Sequence, residues 1–230
     1  MSHHLPAPFY SDECVTLYCG AMEKLLPLLP KVDALLTDPP YGIGTCKNGR
    51  MAQSGGNTGF IGGGDRARIL GKYKPVTWDQ PVTDLARMLL LGAGRNAVIW
   101  GGGHVGHMPR CERWLVWDKL IPETLDFSPM EMAWTTFKGS VRKFTYRWSG
   151  MLRGRKGEPK EKRVHPNQKP VALMEWSLGF FPKGISTVID PYAGSGSVLL
   201  ASRKAGLSVI GIEKDPQYCR EIVKRLQAGK

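Results

Sequence analysis

Apolar positions along the chain fall into short runs of two kinds. VTLYC (15–19), VDALLT (32–37), NAVIWGGG (96–103), ERWLVWDK (112–119), EMAWTTF (131–137), STVID (186–190) and LSVIGIE (207–213) have the length and β-branched or aromatic content of strands. VDALLT is too continuous for a strand with one wet face, so it belongs inside a sheet. Other runs have helical spacing. AMEKLLPLL (21–29) reads as a brief helix interrupted at Pro27. PVTDLARMLLLGAG (81–94) reads as a helix with Pro in its first turn and a glycine stop, and PVALMEWSLGFF (170–181) as another with Pro at its start. Residues 186–226 form a strand–loop–helix–strand–turn–helix unit whose first helix runs from about Gly196 to Ala205. Strands alternating with helices predict an α/β protein with a mostly parallel, mixed sheet flanked by helices.

Two stretches break the pattern. Residues 42–75 carry many glycines and little periodicity, and they follow a strand end directly, as a mobile loop beside an active site would. Residues 138–163 are basic and aromatic.

Length and charge narrow the picture. A chain of 230 residues supplies one substantial core, so 1–230 is expected to be a single domain. A net charge of +12 and a pI of about 9.6 favour a polyanionic partner, nucleic acid first. The five cysteines, at 14, 19, 46, 111 and 219, form no CxxC pair, which argues against a zinc site or a disulfide framework and for reduced, mostly buried thiols. The start, MSHHLPAPFY, lacks the apolar core of a signal peptide, and no run is long enough to span a bilayer. A cytoplasmic protein is therefore expected.

Candidate chemistry lies at two strand ends built alike. In VIDPYAGSG (188–196), a strand ends at Asp190 and the glycines at 194 and 196 precede a helix. Glycines there let a nucleotide-bearing cofactor approach the backbone, and Glu213, ending the next strand, can accept both hydroxyls of a ribose. The third glycine of a dinucleotide fingerprint is missing, and Asp190 would repel a pyrophosphate. A cofactor with cationic ends and a ribose fits better, such as S-adenosylmethionine (AdoMet).

In TDPPYGIG (37–44), Asp38 leaves a strand and Pro39 and Pro40 fix the backbone direction. A carboxylate oxygen and a proline carbonyl form two acceptors, and an exocyclic amine has two N–H groups to donate. Tyr41 supplies a ring on which a planar base can stack. The amine would then attack a sulfonium methyl in line, with no covalent nucleophile.

With these motifs in hand, the sequence resembles the amino-group DNA methyltransferases, N6-adenine or N4-cytosine, in the permuted motif order of the beta class. DPPY (38–41) matches their catalytic tetrad, DPYAGSG (190–196) their AdoMet loop, and HPNQKP (165–170) the segment just upstream. The resemblance covers roughly 13–226. It implies a Rossmann-like methyltransferase fold of circularly permuted motif order. It assigns Asp38, Pro39, Pro40 and Tyr41 to catalysis, and Asp190, Tyr192, Gly194, Ser195, Gly196 and Glu213 to AdoMet, with Lys169 and Pro170 closing its methionine end. It makes double-stranded DNA the partner, its target base flipped, for a monomer or homodimer, and 138–163 a short target-recognition insert. The kind of enzyme implied is a stand-alone modifier like those of phages and prophages.

Within that insert, Arg142, Arg147, Arg153 and Arg155 are candidates for base edges, Lys156, Lys160 and Lys162 for phosphates, and Lys143 for nucleic acid more generally. An acid at the head of the tetrad favours adenine, with N4-cytosine or an RNA base as alternatives. A glutamine amide is a further rival substrate, and a non-catalytic DNA-binding module leaves both carboxylate corners unexplained. One departure stands out: members of the family often carry an acid after the first strand–helix glycine, where this chain has Ala21. Asp12, Glu13 or a backbone group is expected to take over that adenosine contact, or the contact is absent.

Overall fold

A computed structural model describes residues 4–42, 79–123, 128–149, 152–154 and 161–228. The sheet is built from β1 (Tyr10–Ser11), β2 (Val15–Cys19), β3 (Val32–Thr37), β4 (Gly94–Trp100), β5 (Leu115–Asp118), β6 (Met130–Thr135), β7 (Arg142–Thr145), β10 (Thr187–Asp190) and β11 (Ser208–Glu213). Its strand order is β1-β2-β11-β10-β3-β4-β6-β5-β7. A small separate ribbon pairs β8 (Trp148–Ser149) with β9 (Leu152–Arg153). The helices are α1 (Met22–Leu25), α2 (Asp84–Ala93), α3 (Val171–Leu178), α4 (Ser197–Lys204) and α5 (Pro216–Ala228).

Five adjacent strands, β2-β11-β10-β3-β4, run parallel. Parallel strands need crossovers that cover both faces, which is why β3 is buried along almost its whole length. One core lies between the sheet and α3, α4 and α5, around Leu173, Leu199 and Ile222; the other lies under α1 and α2, around Leu25, Leu35 and Leu90. The chain proceeds from β3 to β4 on one side and from β10 to β11 on the other. Between β3 and β10 the winding therefore reverses, and at such a switch point the carboxyl ends of the strands open a crevice.

The remaining strands set the other half of the site. β6 is antiparallel to both β4 and β5, and β7 is parallel to β5. Hence β5 and β7 point the same way as β3, while β6 points back. The carboxyl ends of β3, β10, β11, β5 and β7 and the amino end of β6 share one edge of the sheet.

Several sequence expectations shift by a few residues for identifiable reasons. α2 starts at Asp84, because Thr83 caps it by accepting the Ala86 amide at 3.1 Å, and Pro81 lies before the helix. The helix read at 21–29 is one α-turn followed by a 3-10 turn over Leu26–Leu28, with Pro27 inside it. Of the cysteines expected to be mostly buried, only Cys219 is; Cys14, Cys19 and Cys111 are half-exposed, and Cys46 falls outside the described residues. Among the described residues, no helix is long and apolar enough to cross a membrane.

Candidate active site

Three acidic residues leave adjacent strands at the switch point. Glu213 ends β11, Asp190 ends β10, and Asp38 follows β3. The β3 and β10 corners are tied together, since Thr37 Oγ1 donates to Asp190 Oδ1 at 2.7 Å. The same oxygen accepts the Tyr192 amide at 3.1 Å, which folds the turn after Asp190. Glu213 is held from both sides: Gly194 N–H donates to Oε2 at 2.8 Å and Asp215 N–H to Oε1 at 2.7 Å. Burial outweighs these bonds at both carboxyls and pushes each up to about 7.

The turn between them is made by glycine. Gly196, at φ +78°, precedes α4 in the left-handed region, and a Cβ there would sit 3.0 Å from Ile222 of α5. Ser195 and Ser197 share a hydrogen bond, and Ser197 Oγ donates to the Lys169 carbonyl, joining this loop to the segment at 165–170. His165, edge-on to Tyr218, lies beside Gly194; burial and the charges of Arg163 and Lys169 lower it to about 3, so it is neutral.

At the other corner, both oxygens of Asp38 are engaged. Tyr41 donates its hydroxyl to Oδ1 at 2.6 Å, and Lys169 Nζ reaches Oδ2 at 2.8 Å. Lys169 also reaches Glu131 Oε2 at 3.0 Å, and Lys119 Nζ lies 2.6 Å from Glu131 Oε1. The side chains of Lys169, Lys119, Asp38 and Glu131 are only 8%, 15%, 17% and 18% exposed, so the chain of charges is largely withdrawn from water. Burial raises Asp38, against the pull of Lys169 and with help from the charge of Glu131. Burial would raise Glu131 too, but Lys169 and Lys119 outweigh it and hold that carboxyl down to about 2.

Tyr41 packs edge to backbone. A Cβ on Gly101 would lie 1.9 Å from Tyr41 Cε1, so the residue after β4 must be glycine for the ring to sit there. The exposed His104 ring stacks on Tyr41 at 4.9 Å between centroids and 21° between planes.

The sequence reading brings Asp38, Tyr41, Asp190, Gly194, Glu213 and Lys169 to one edge of the sheet, and the structure has them there. Lys169 stands between two carboxylates, next to the tetrad. Glu131 and Lys119 were missed. Glu131 is a single acid near the start of an apolar strand, and only the reversed direction of β6 carries it to the site. Asp12 does not reach the site. It lies in the turn before β2, level with Val15 through its amide hydrogen bond to the Val15 carbonyl, while the other end of β2, Cys19, pairs with Glu213; four residues at a rise of about 3.3 Å put it about 13 Å away along the strand. There Asp12 binds Arg203 and the Cys14 and Val15 amides. The adjoining Glu13 shares that location.

The basic insert divides in the same way. Its aromatics serve the fold. Phe144 stacks on Trp176, Tyr146 and Trp148 are buried, and Trp148 Nε1 donates to the Gln168 carbonyl at 3.0 Å, bracing the residue before Lys169. Arg142, Lys143, Arg147 and Lys162 are exposed. Arg153 lies in β9, while Arg155, Lys156 and Lys160 lie outside the described residues, as does most of 42–75. The described residues on either side of 43–78 are close, since the Gly42 amide donates to Asp79 at 2.9 Å.

Comparison with known proteins identifies the family. A family model described as DNA methylase, of the N6/N4 methyltransferase group, matches residues 110–224, half of the chain. The type II methyltransferase M2.LlaDCHI of Lactococcus lactis subsp. cremoris is 24% identical, over 96% of this chain and 93% of its own. Among solved structures, the M1.HpyAVI–SAM complex aligns with a TM-score of 0.53 at 19% identity, over 92% of this chain and 99% of its own. The PvuII DNA methyltransferase (cytosine-N4-specific) aligns with a TM-score of 0.58 at 13% identity, over 95% and 88%. The last two carry the fold, the Rossmann-like sheet of methyltransferases. Together with the family match they establish that this chain belongs to the N6/N4 DNA methylases, AdoMet-dependent enzymes that methylate base amino groups in DNA.

Proposed function

We propose that this chain methylates the N6 amino group of adenine in double-stranded DNA, with the target base flipped into the crevice between β3 and β10. The observation that carries the reading is the Asp38 corner. A nearly buried carboxylate, flanked by two prolines and an aromatic ring, is an acceptor site for a planar amine. An acid at that position is the form of the tetrad that goes with adenine in the resembling family; N4 of cytosine, which presents the same NH2 group, is the second reading.

The residues of the crevice fit AdoMet. Two carboxyls, the buried Asp190 and the half-buried Glu213, flank a turn where a Cβ on Gly194 would meet nothing closer than 3.8 Å. Anionic walls with open backbone suit a ligand with cationic ends and would repel a pyrophosphate. When bound, AdoMet supplies an electrophilic sulfonium methyl.

Glu213, fixed by two amides, offers its remaining lone pairs to the ribose hydroxyls. Asp38 accepts one N–H of the amine and a proline carbonyl of the tetrad the other, which keeps the nitrogen lone pair out of the ring. Tyr41 stacks on the base. As the new N–C bond forms, the nitrogen must shed a proton. Asp38, its carboxyl raised by burial, is the base poised to take it. Positioning and preorganised acceptors supply the rate, with no covalent intermediate. Incubation of duplex DNA with AdoMet, followed by nucleoside mass spectrometry, tests the proposal. N6-methyl-2′-deoxyadenosine is the expected product, N4-methyl-2′-deoxycytidine would transfer the reading to cytosine, and the absence of both would refute it.

A further inference from the structure

The Lys169 ammonium is shared between two carboxylates, Asp38 at 2.8 Å and Glu131 at 3.0 Å. One of these is the proposed acceptor for the target amine; the other has no part in that scheme. We infer that Glu131 is a positioning residue that gives Lys169 a second anchor, so that Asp38 can turn from Lys169 to the incoming amine without stranding a buried cation. The inference rests on the amine-methylation reading above.

The geometry around Glu131 is built for the purpose. It enters from β6, the one strand near the site that runs backwards, and it is the only described acid besides Asp38 that touches Lys169. Its other oxygen is pinned by Lys119 at 2.6 Å. Lys119 is in turn fixed by its backbone: its amide donates to the Pro129 carbonyl at 2.9 Å, and the chain turns sharply after it at Leu120. Leu120 has φ +52°, the one positive value at a described residue other than glycine, held by its amide bond to Asp118 Oδ1 at 3.0 Å. The Tyr41 hydroxyl, whose proton goes to Asp38 at 2.6 Å, lies 3.2 Å from Glu131 as well, so both carboxylates converge on one phenol and one ammonium.

Two consequences separate this role from simple packing. With Lys169 bound to Asp38 alone, as in Glu131→Gln, the ammonium competes with the amine for the same oxygen. With Lys169 absent, as in Lys169→Met, the two carboxylates face each other with no cation between them, Lys119 remains only on the far oxygen of Glu131, and the repulsion pushes Asp38 toward its protonated form. Removing both charges leaves Asp38 and Tyr41 with neither competitor nor repulsion.

The experiment has two arms. In single-turnover methyl transfer, Glu131→Gln should lose about 10- to 100-fold and Lys169→Met at least about 100-fold, while the double variant should recover at least about tenfold over Lys169→Met. A double variant no faster than Lys169→Met would overturn the inference. The second arm needs neither DNA nor AdoMet. Carboxyl carbon NMR of the free protein should show Asp38 titrating lower in Glu131→Gln and higher in Lys169→Met than in the wild type, with the double variant between those two. An Asp38 titration unmoved by Glu131→Gln would also overturn it. Wild-type protein that methylates no DNA amine would refute the functional reading and leave the titration arm intact.

Discussion

The amide of Gly194 donates to the Glu213 carboxylate at 2.8 Å, so the loop after β10 and the end of β11 are fastened across the crevice before any ligand arrives. The other Glu213 oxygen is fixed by Asp215 N–H at 2.7 Å. This double grip makes glutamine a poor substitute, because its NH2 would face one of the two amides donor to donor. Glu213→Gln and Glu213→Ala should therefore both weaken AdoMet, by roughly 1.5–3 kcal/mol, or about 10- to 150-fold in Kd by calorimetry. Wild-type affinity in a folded Glu213→Gln protein would remove Glu213 from the cofactor site.

Burial also gives the site a pH signature. Asp190 and Glu213, both raised to about 7, stay protonated in the free fold at pH values where an unfolded chain has lost those protons. The stability they contribute is full below their unfolded values, near 4, and is lost as pH rises through about 7. A ligand that prefers the ionised pair must therefore expel protons in that window. At pH 6.5, the calorimetric enthalpy of AdoMet binding should vary between phosphate and imidazole buffers in the direction of proton release, and affinity should rise toward pH 8. Identical enthalpies in the two buffers would mean that neither carboxyl titrates on binding.

Those two corners were legible because their chemistry is local. A strand end, an acid, prolines or glycines and the next element lie within ten residues, and turn chemistry is decided by neighbours in sequence. Glu131 and Lys119 were not legible for the converse reason. MEMAW reads as a strand with a stray acid at its solvent end, and only the antiparallel placement of β6 between β4 and β5 carries that acid to the edge where Asp38 lies. Pairing order is a long-range property that no window of sequence contains. The aromatics of the insert show the same long-range effect. Phe144, Tyr146 and Trp148 alternate with basic residues as an interface would, yet their rings pack into the core, and Trp148 supports Gln168 from inside.

Tyr41 is a case where the structure changes the expected mutant. From the sequence, a stacking ring needs no hydroxyl, and Tyr41→Phe should be mild. The hydroxyl instead donates to Asp38 Oδ1 at 2.6 Å. A hydrogen bond to an ionised group contributes about 1.5–3 kcal/mol, so Tyr41→Phe should slow single-turnover transfer about 10-fold or more. The lost donor favoured ionised Asp38, so its carboxyl should rise further and the acid limb of the rate profile should move to higher pH. A rate within twofold of wild type, with an unmoved limb, would restore the ring-only role.

Strand direction finally sorts the basic residues of the insert. β7 runs parallel to β5, with Arg142 opposite Leu115 and Thr145 opposite Asp118, so Arg142 begins the strand at the edge away from the site. Arg147 lies just past its carboxyl end, on the edge that carries Asp118, Glu131 and Asp38. Five residues at about 3.3 Å each separate Arg142 and Arg147 by up to roughly 16 Å along the strand direction. β7 is also four strands from β3, about 19 Å at the usual strand spacing, so a duplex presenting a base to Asp38 would lie across this edge. Lys143, one residue on from Arg142, is 3.5 Å from Asp118 and faces away from the side that Phe144 packs. Arg147→Ala should then weaken duplex binding and, if the group meets a phosphate, reduce the slope of log K against log salt by about 0.9. If it meets a base edge, the methylated motif should broaden instead, which sequencing of methylated DNA would read. Arg142→Ala should leave affinity and slope within about twofold of wild type. Equal losses at Arg142 and Arg147 would mean that the duplex runs along β7 and not across the edge that Asp38 shares.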